Sequence, residues 1–195
     1  MIVFSLIGPS GSGKSTIWEK IGQKGYVHFK EGYMDSNRGP SNNLPEIDNR
    51  LFVSKLNYLA NWLNQVREYE NSGVALVVSD RSPWDVPAYV NPEGKLYNYV
   101  AAFMKELSTL GIEHKTCYVF CPEKILTARV AERLKRDAFR KAYNEGNPSL
   151  LSKTCRYYER HRTEWDYIVD NSGPLQSSVS EVEKILTSLK RAPAP

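Results

Sequence analysis

Apolar residues follow two rhythms along the chain, and their alternation predicts an architecture. Short runs rich in β-branched and aromatic residues read as strands at Ile2–Ile7, Tyr26–Lys30, Val74–Ser79, Thr116–Phe120 and Tyr167–Val169. The third, Val-Ala-Leu-Val-Val-Ser, is almost continuously apolar, as expected of a parallel strand covered on both faces. Longer segments with apolar residues three and four apart read as helices at Ser15–Gln23, Ile47–Asn71, Tyr97–Leu110, Glu123–Tyr143, Lys153–Trp165 and Ser178–Leu189. Strand and helix take turns, so the expected fold class is α/β, a three-layer fold around a five-stranded parallel sheet flanked by helices. Stretches rich in Asn, Ser, Gly and Pro at Asp35–Glu46, Asn91–Lys95 and Asn144–Ser149 punctuate the pattern and are candidate mobile loops. The 191–195 tail is expected to be flexible. Neither a repeat nor an interdomain linker interrupts residues 1–195, which read as a single domain.

Composition adds limits. With 41% hydrophobic and 25% charged residues, the chain has ordinary globular proportions. No stretch nears the ~20 apolar residues of a membrane span, and the apolar start is too short for a signal peptide. The three cysteines, Cys117, Cys121 and Cys155, lack metal-ligand spacing, and their odd number argues against a disulfide framework. Cys117 and Cys121 would share one face of a strand as buried thiols. The expected compartment is cytoplasmic. The net charge of +4 suggests a polyanion partner until its distribution is read. Lys124–Lys141 carries seven Lys or Arg against two Asp or Glu, so the remainder of the chain is nearly neutral. One compact basic patch is not a nucleic-acid footprint.

Directly after the first strand, residues 8–16 read Gly-Pro-Ser-Gly-Ser-Gly-Lys-Ser-Thr. This is the G-x-x-x-x-G-K-[ST] phosphate-binding loop, or P-loop, in its required place between a strand and a helix. Gly8, Gly11 and Gly13 let the backbone approach a ligand closely, and the N–H groups and helix N-terminus form an anion-binding concavity. Lys14 supplies a charge for β- and γ-phosphates, and Ser15 is placed to ligate Mg²⁺. The motif implies a nucleoside triphosphate, held by Gly8, Ser10, Gly11, Ser12, Gly13, Lys14, Ser15 and Thr16. No Asn-Lys-x-Asp guanine-reading motif is present. Asp80-Arg81-Ser82 follows the apolar strand, at the sheet edge where ligands of open α/β folds sit. Asp80 is a second candidate Mg²⁺ group, and Arg81 a candidate for contact with the transferring phosphoryl group or an acceptor phosphate.

Arg129, Arg133, Arg136 and Arg140 are spaced four, three and four apart, which puts them within about 60° on a helix. Thr127, Val130, Leu134 and Ala138 take the other side, so the arginines are expected to face out as a stripe seeking an anion. With a phosphate-binding loop in the same chain, the stripe reads as an arginine lid over residues 124–150 that neutralises the transition state. Arg133, Arg136 and Arg140 are its candidate catalytic groups, and Arg129 a further nucleotide contact.

The loop, Leu51-Phe52 on a long helix, Asp80-Arg81 and Ala88-Tyr89 together resemble the thymidylate kinase and deoxynucleoside kinase group. So do Cys121-Pro-Glu123 before the arginine helix and Tyr167–Asn171 as the last strand. The resemblance spans residue 1 to about 190. It implies ATP–Mg²⁺-dependent phosphoryl transfer to a small nucleoside or nucleotide, with no nucleic acid or membrane partner; a homodimer is one assembly it allows.

Two positions depart from the thymidylate kinase pattern. An arginine that usually follows the Leu-Phe pair to hold the acceptor phosphate falls at Leu56 here, leaving Arg38 or Arg50 as candidate replacements. Glu31, ending the second strand, matches the carboxylate that deoxynucleoside kinases use as general base. Glu31 favours a hydroxyl acceptor, which must lose a proton on attack; abundant arginine favours a phosphate acceptor. Chain length tips the expectation toward a nucleoside monophosphate, with a deoxynucleoside, another small metabolite or a non-kinase ATPase switch as alternatives. Tyr33 and Trp84, each just beyond a strand, are candidates for the wall against the acceptor base, and Phe52 for a further substrate contact.

Overall fold

The computed structural model describes residues 1–30, 48–89, 95–137, 140 and 145–191, and only the backbone of 48–55 and 95. Five strands, β1 (Ile2–Ile7), β2 (His28–Phe29), β3 (Leu76–Asp80), β4 (Glu113–Phe120) and β5 (Tyr167–Asp170), form one sheet in the order β2-β3-β1-β4-β5. Every pairing is parallel. The expected α/β fold is therefore observed, with β1 central and its following loop at the carboxyl edge of the sheet. Around it lie α1 (Lys14–Gln23), α2 (Asp48–Asn71), α3 (Asp85–Tyr89), α4 (Lys95–Thr109), α5 (Glu123–Arg136), α6 (Pro148–Arg160) and α7 (Leu175–Arg191).

Strand pleating divides the core. From β1, Phe4 and Leu6 point to one face and join Ile17, Ile21, Val179, Val182 and Leu186 of α1 and α7. Val3 points to the other face and joins Trp62, Val66, Val100 and Leu107 of α2 and α4. A third cluster packs Ile7 and Tyr118 against Tyr157, Tyr158 and Trp165. Burying both faces of a parallel sheet accounts for the continuous apolar run of β3. Among the described residues no helix is long and apolar enough to cross a membrane.

Several boundaries differ from the sequence expectation. The second strand is two residues long. Helix α6 starts at Pro148 because the Asn147 side chain accepts hydrogen bonds from Ser149 N at 3.0 Å and Leu150 N at 3.3 Å. Helix α7 runs through Arg191, so the helix takes in the first residue of the expected tail. Short α3 has no counterpart in the sequence reading. A capping box starts it: Ser82 Oγ accepts from Trp84 N at 3.1 Å, and Asp85 Oδ2 accepts from Ser82 N at 2.8 Å.

The largest correction concerns the arginine helix. It ends at Arg136, where Asp137 leaves helical geometry (φ −133°, ψ 81°), so Arg140 lies beyond it. Its buried residues are Leu126 and Val130, whereas Thr127 is exposed. Cys117 is buried as expected. Cys121 is also buried, but beyond the end of β4, beside Leu126 and Leu151.

Candidate active site

The chain turns from β1 into α1 through three glycines with positive φ: Gly8 (144°), Gly11 (84°) and Gly13 (96°). Left-handed backbone favours glycine, and close neighbours reinforce the requirement. A Cβ on Gly13 would lie 2.2 Å from Asn171 Nδ2, and one on Gly8 would lie 2.9 Å from Val119 O. Gly13 caps α1 without any side-chain hydrogen bond, so the first N–H groups of the helix face the loop uncapped. Ser15 and Thr16, in that first turn, are exposed. Lys14 is buried; its ammonium donates to Gly8 O at 2.6 Å, Pro9 O at 2.9 Å and Ser12 Oγ at 3.2 Å.

Asp80 ends β3 beside this turn, and Ser15 Oγ donates to its Oδ2 at 2.7 Å. Its Oδ1 is buried and accepts no hydrogen bond from the described residues. A buried carboxylate oxygen without a donor is costly unless something else satisfies it. Magnesium fits that need. It binds hard oxygen ligands and takes only one or two from protein, the others being water and phosphate. A hydroxyl and a carboxylate beside a phosphate-binding loop form such a partial ligand set, and among the described residues no larger acidic or histidine cluster competes with it.

Arg81 has φ 75°, the one positive φ outside glycine among the described residues. Such a backbone costs about 1–3 kcal/mol and must be held by its surroundings. Its N–H donates to Leu6 O at 3.0 Å, and its carbonyl accepts from Ser79 Oγ at 2.6 Å. Its guanidinium donates to Tyr89 OH at 3.1 Å and lies 3.6 Å from Asp85 Oδ1. Tyr158 OH donates to that same oxygen at 2.6 Å; burial, then the Asp85 charge, pushes the Tyr158 phenol well above its ordinary value.

The four arginines divide into two groups. Arg133 donates to Ser10 Oγ at 3.0 Å and to Glu145, which also accepts from Ser10. Arg140 lies 3.4 Å from Glu145 Oε2 and donates through Nε to Asp137 at 2.9 Å. Glu145 therefore fastens Arg133 and Arg140 over the loop. Arg133 is close enough to Arg81 for the two charges to interact; burial, eased by Glu145, holds its pKa below the usual arginine value. Its Nε is buried and donates to none of the described residues.

The other two depart from the outward-facing stripe. Arg129 donates to Asn171 O at 2.9 Å and to Cys121 Sγ at 3.6 Å, tying α5 to the end of β5. Arg136 is exposed and pairs with Glu132 at 3.1 Å on the solvent side. The stripe is thus compensated within the protein, because α5 packs Arg129 and Arg133 inward along with Val130.

Trp84 also departs from its expected place. Its ring packs 5.4 Å from Tyr97 and 6.5 Å from Trp165, and it lines a cavity with Glu113 and His114 at the amino end of β4, opposite the loop. Of the other acceptor candidates, Glu31, Tyr33 and Arg38 lie outside the described residues, as does the Phe52 side chain.

Two residues escaped the sequence reading. Buried Asn171 braces the loop: its Nδ2 donates to Ser12 O at 2.7 Å, and its Oδ1 accepts from Ser178 Oγ at 2.9 Å. Its place just after the last strand, at the ligand edge of the sheet, is the signal that would have found it. Glu145, in a polar loop, carries no such signal.

No family model matches the chain, and neither does any curated protein. Among solved structures it is similar to the deoxyadenosine kinase of M. mycoides. With dATP bound, that protein superposes with a TM-score of 0.66 at 17% identity, covering 95% of this chain and 99% of its own. Its structures with dCTP, and with the products dCMP and a flexible dCDP, give TM-scores of 0.64 at the same identity and coverage. The chain shares the fold of those proteins, and in this chain the phosphate-binding loop, Asp80 and Arg81 meet at the carboxyl edge of the sheet.

Proposed function

We propose that the protein transfers the γ-phosphoryl group of ATP to the 5′-hydroxyl of a deoxynucleoside. The observation that carries this reading is the pair of buried polar atoms at the loop mouth. Asp80 Oδ1 is an acceptor facing no described donor, and Arg133 Nε is a donor facing no described acceptor. A magnesium-bound triphosphate supplies the complement of both. A magnesium ion held there would supply Lewis-acid stabilisation of phosphate charge. Ser15 and Asp80 would hold it, the loop N–H groups and Lys14 the phosphates, and Arg81 and Arg133 the charge that grows on the transferred group.

The redistribution of the arginines favours a hydroxyl acceptor over the nucleoside monophosphate expected from chain length. Arg129 and Arg136 are turned to structural and solvent roles, and the position where thymidylate kinases carry an acceptor-phosphate arginine is Leu56. Cations for a second anion are correspondingly few. A 5′-hydroxyl needs a base instead, and Glu31 is the proposed one. The similarity to a deoxyadenosine kinase supports the same choice and makes adenine and cytosine deoxynucleosides the first acceptors to test. A monophosphate acceptor is the second reading, favoured by Arg133 and Arg140 beside the loop.

ADP release with ATP–Mg²⁺ across deoxynucleosides and their monophosphates separates the two. Stimulation by deoxynucleosides alone is expected. Stimulation by monophosphates alone would transfer the assignment to the second reading, and none by either would remove both.

A further inference from the structure

One side of the sheet interior carries polar residues in an otherwise apolar layer. Ser5 of β1 lies in register with Ser79 of β3 and Thr116 of β4, and all three are buried. Ser5 Oγ is 2.8 Å from Ser79 Oγ and 2.8 Å from His114 Nε2. Ser79 Oγ in turn lies 2.6 Å from the Arg81 carbonyl.

The carbonyl at the end of this row fixes every proton in it. A carbonyl only accepts, so the single Ser79 hydroxyl proton goes to Arg81. Ser5 must then donate to Ser79, which uses its own proton. His114 must therefore donate to Ser5 through Nε2. Read in order, the chain is His114 Nε2–H to Ser5 O–H to Ser79 O–H to Arg81 C=O, and each bond polarises the next. Trp62 closes over the imidazole edge-on at 5.7 Å. Burial lowers the His114 pKa to about 4, so the ring enters the chain neutral.

The receiving carbonyl belongs to the residue with strained backbone. We infer that Ser79, backed by Ser5 and His114, is a positioning residue for Arg81, holding its left-handed backbone so that the guanidinium stays beside Tyr89, Asp85 and Arg133. The kinetic part of this inference rests on the proposed role of Arg81 in phosphoryl transfer; the proton order does not.

Nitrogen-15 shifts of the His114 ring test the order directly. A proton on Nε2 with Nδ1 bare at neutral pH is expected, and the Nδ1–H tautomer would overturn the chain whatever the protein catalyses. Kinetics test its purpose. Ser79→Ala is expected to lower kcat at least tenfold with the KM for ATP within twofold, and Ser79→Thr, which keeps the hydroxyl, to restore most of it. In an Arg81→Ala background, Ser79→Ala should cost less than a further twofold, because both changes remove one function. A full additional tenfold loss would assign Ser79 a role apart from Arg81 and defeat the inference. If Ser79→Ala does not fold, Ser5→Ala, one bond upstream of Ser79, carries the same cycle with the same criterion.

Discussion

Gly13 combines two requirements that can be separated by substitution. Its φ of 96° alone makes a side chain unfavourable, and the 2.2 Å approach to Asn171 adds a collision. Gly25 has a similar φ of 85° with nothing within 4 Å of a built Cβ, so it isolates the backbone effect. Gly25→Ala should cost about 1 kcal/mol in urea unfolding, and Gly13→Ala roughly 2–3 kcal/mol, with loss of ATP binding. Equal costs would mean that Asn171 yields freely. His114 supplies a pH prediction. Its pKa is lowered to about 4 in the folded protein, against roughly 6.5 when unfolded, so the unfolded chain binds the extra proton between those values. Its contribution to stability therefore falls as pH drops from about 6.5 to 4, and His114→Gln should lose less over that window in denaturant titrations. At this scale Lys14, Ser15, Asp80 and Arg81 were legible because motif spacing and strand ends define them. Asn171 and Glu145 were not, since their partners Ser12 and Ser10 lie 159 and 135 residues away.

Helix α5 shows what periodicity leaves open. A spacing of 3.6 residues identifies which side chains share a face, but neither where the helix stops nor what that face meets. The arginines do fall on one side through Arg136, yet that side turns partly inward, where Asn171, Ser10 and Glu145 wait. The two ends of the stripe should thus respond differently. Arg129→Ala leaves the Asn171 carbonyl without its guanidinium donor and should cost about 1–3 kcal/mol in thermal unfolding. Arg136→Ala removes an exposed pair with Glu132 and should stay within about 0.5 kcal/mol, with turnover unchanged within twofold. A large catalytic loss in Arg136→Ala would restore the lid role first read from its spacing. Helix α3 was hidden for another reason: at five residues, including Pro87, it is too short to show a period, and only the Ser82–Asp85 capping box marks its start.

For the whole molecule, strand composition and the alternation of elements were enough to read five parallel strands between helical layers. The phosphate-binding loop was equally legible as a candidate site, since one contiguous motif builds most of it. The proposed acceptor site draws on separate segments of the sequence, which offered opposing signals there: a carboxylate for a hydroxyl, arginines for a phosphate. Folding weakened the second signal by pairing those arginines internally. The most direct test of the account follows the γ-phosphoryl group itself, by phosphorus-31 NMR of a reaction containing ATP, Mg²⁺ and deoxyadenosine or deoxycytidine. ADP and a deoxynucleoside 5′-monophosphate are expected in equal amounts. Phosphate released to water, or diphosphate made from added monophosphate while the deoxynucleosides remain untouched, would contradict it.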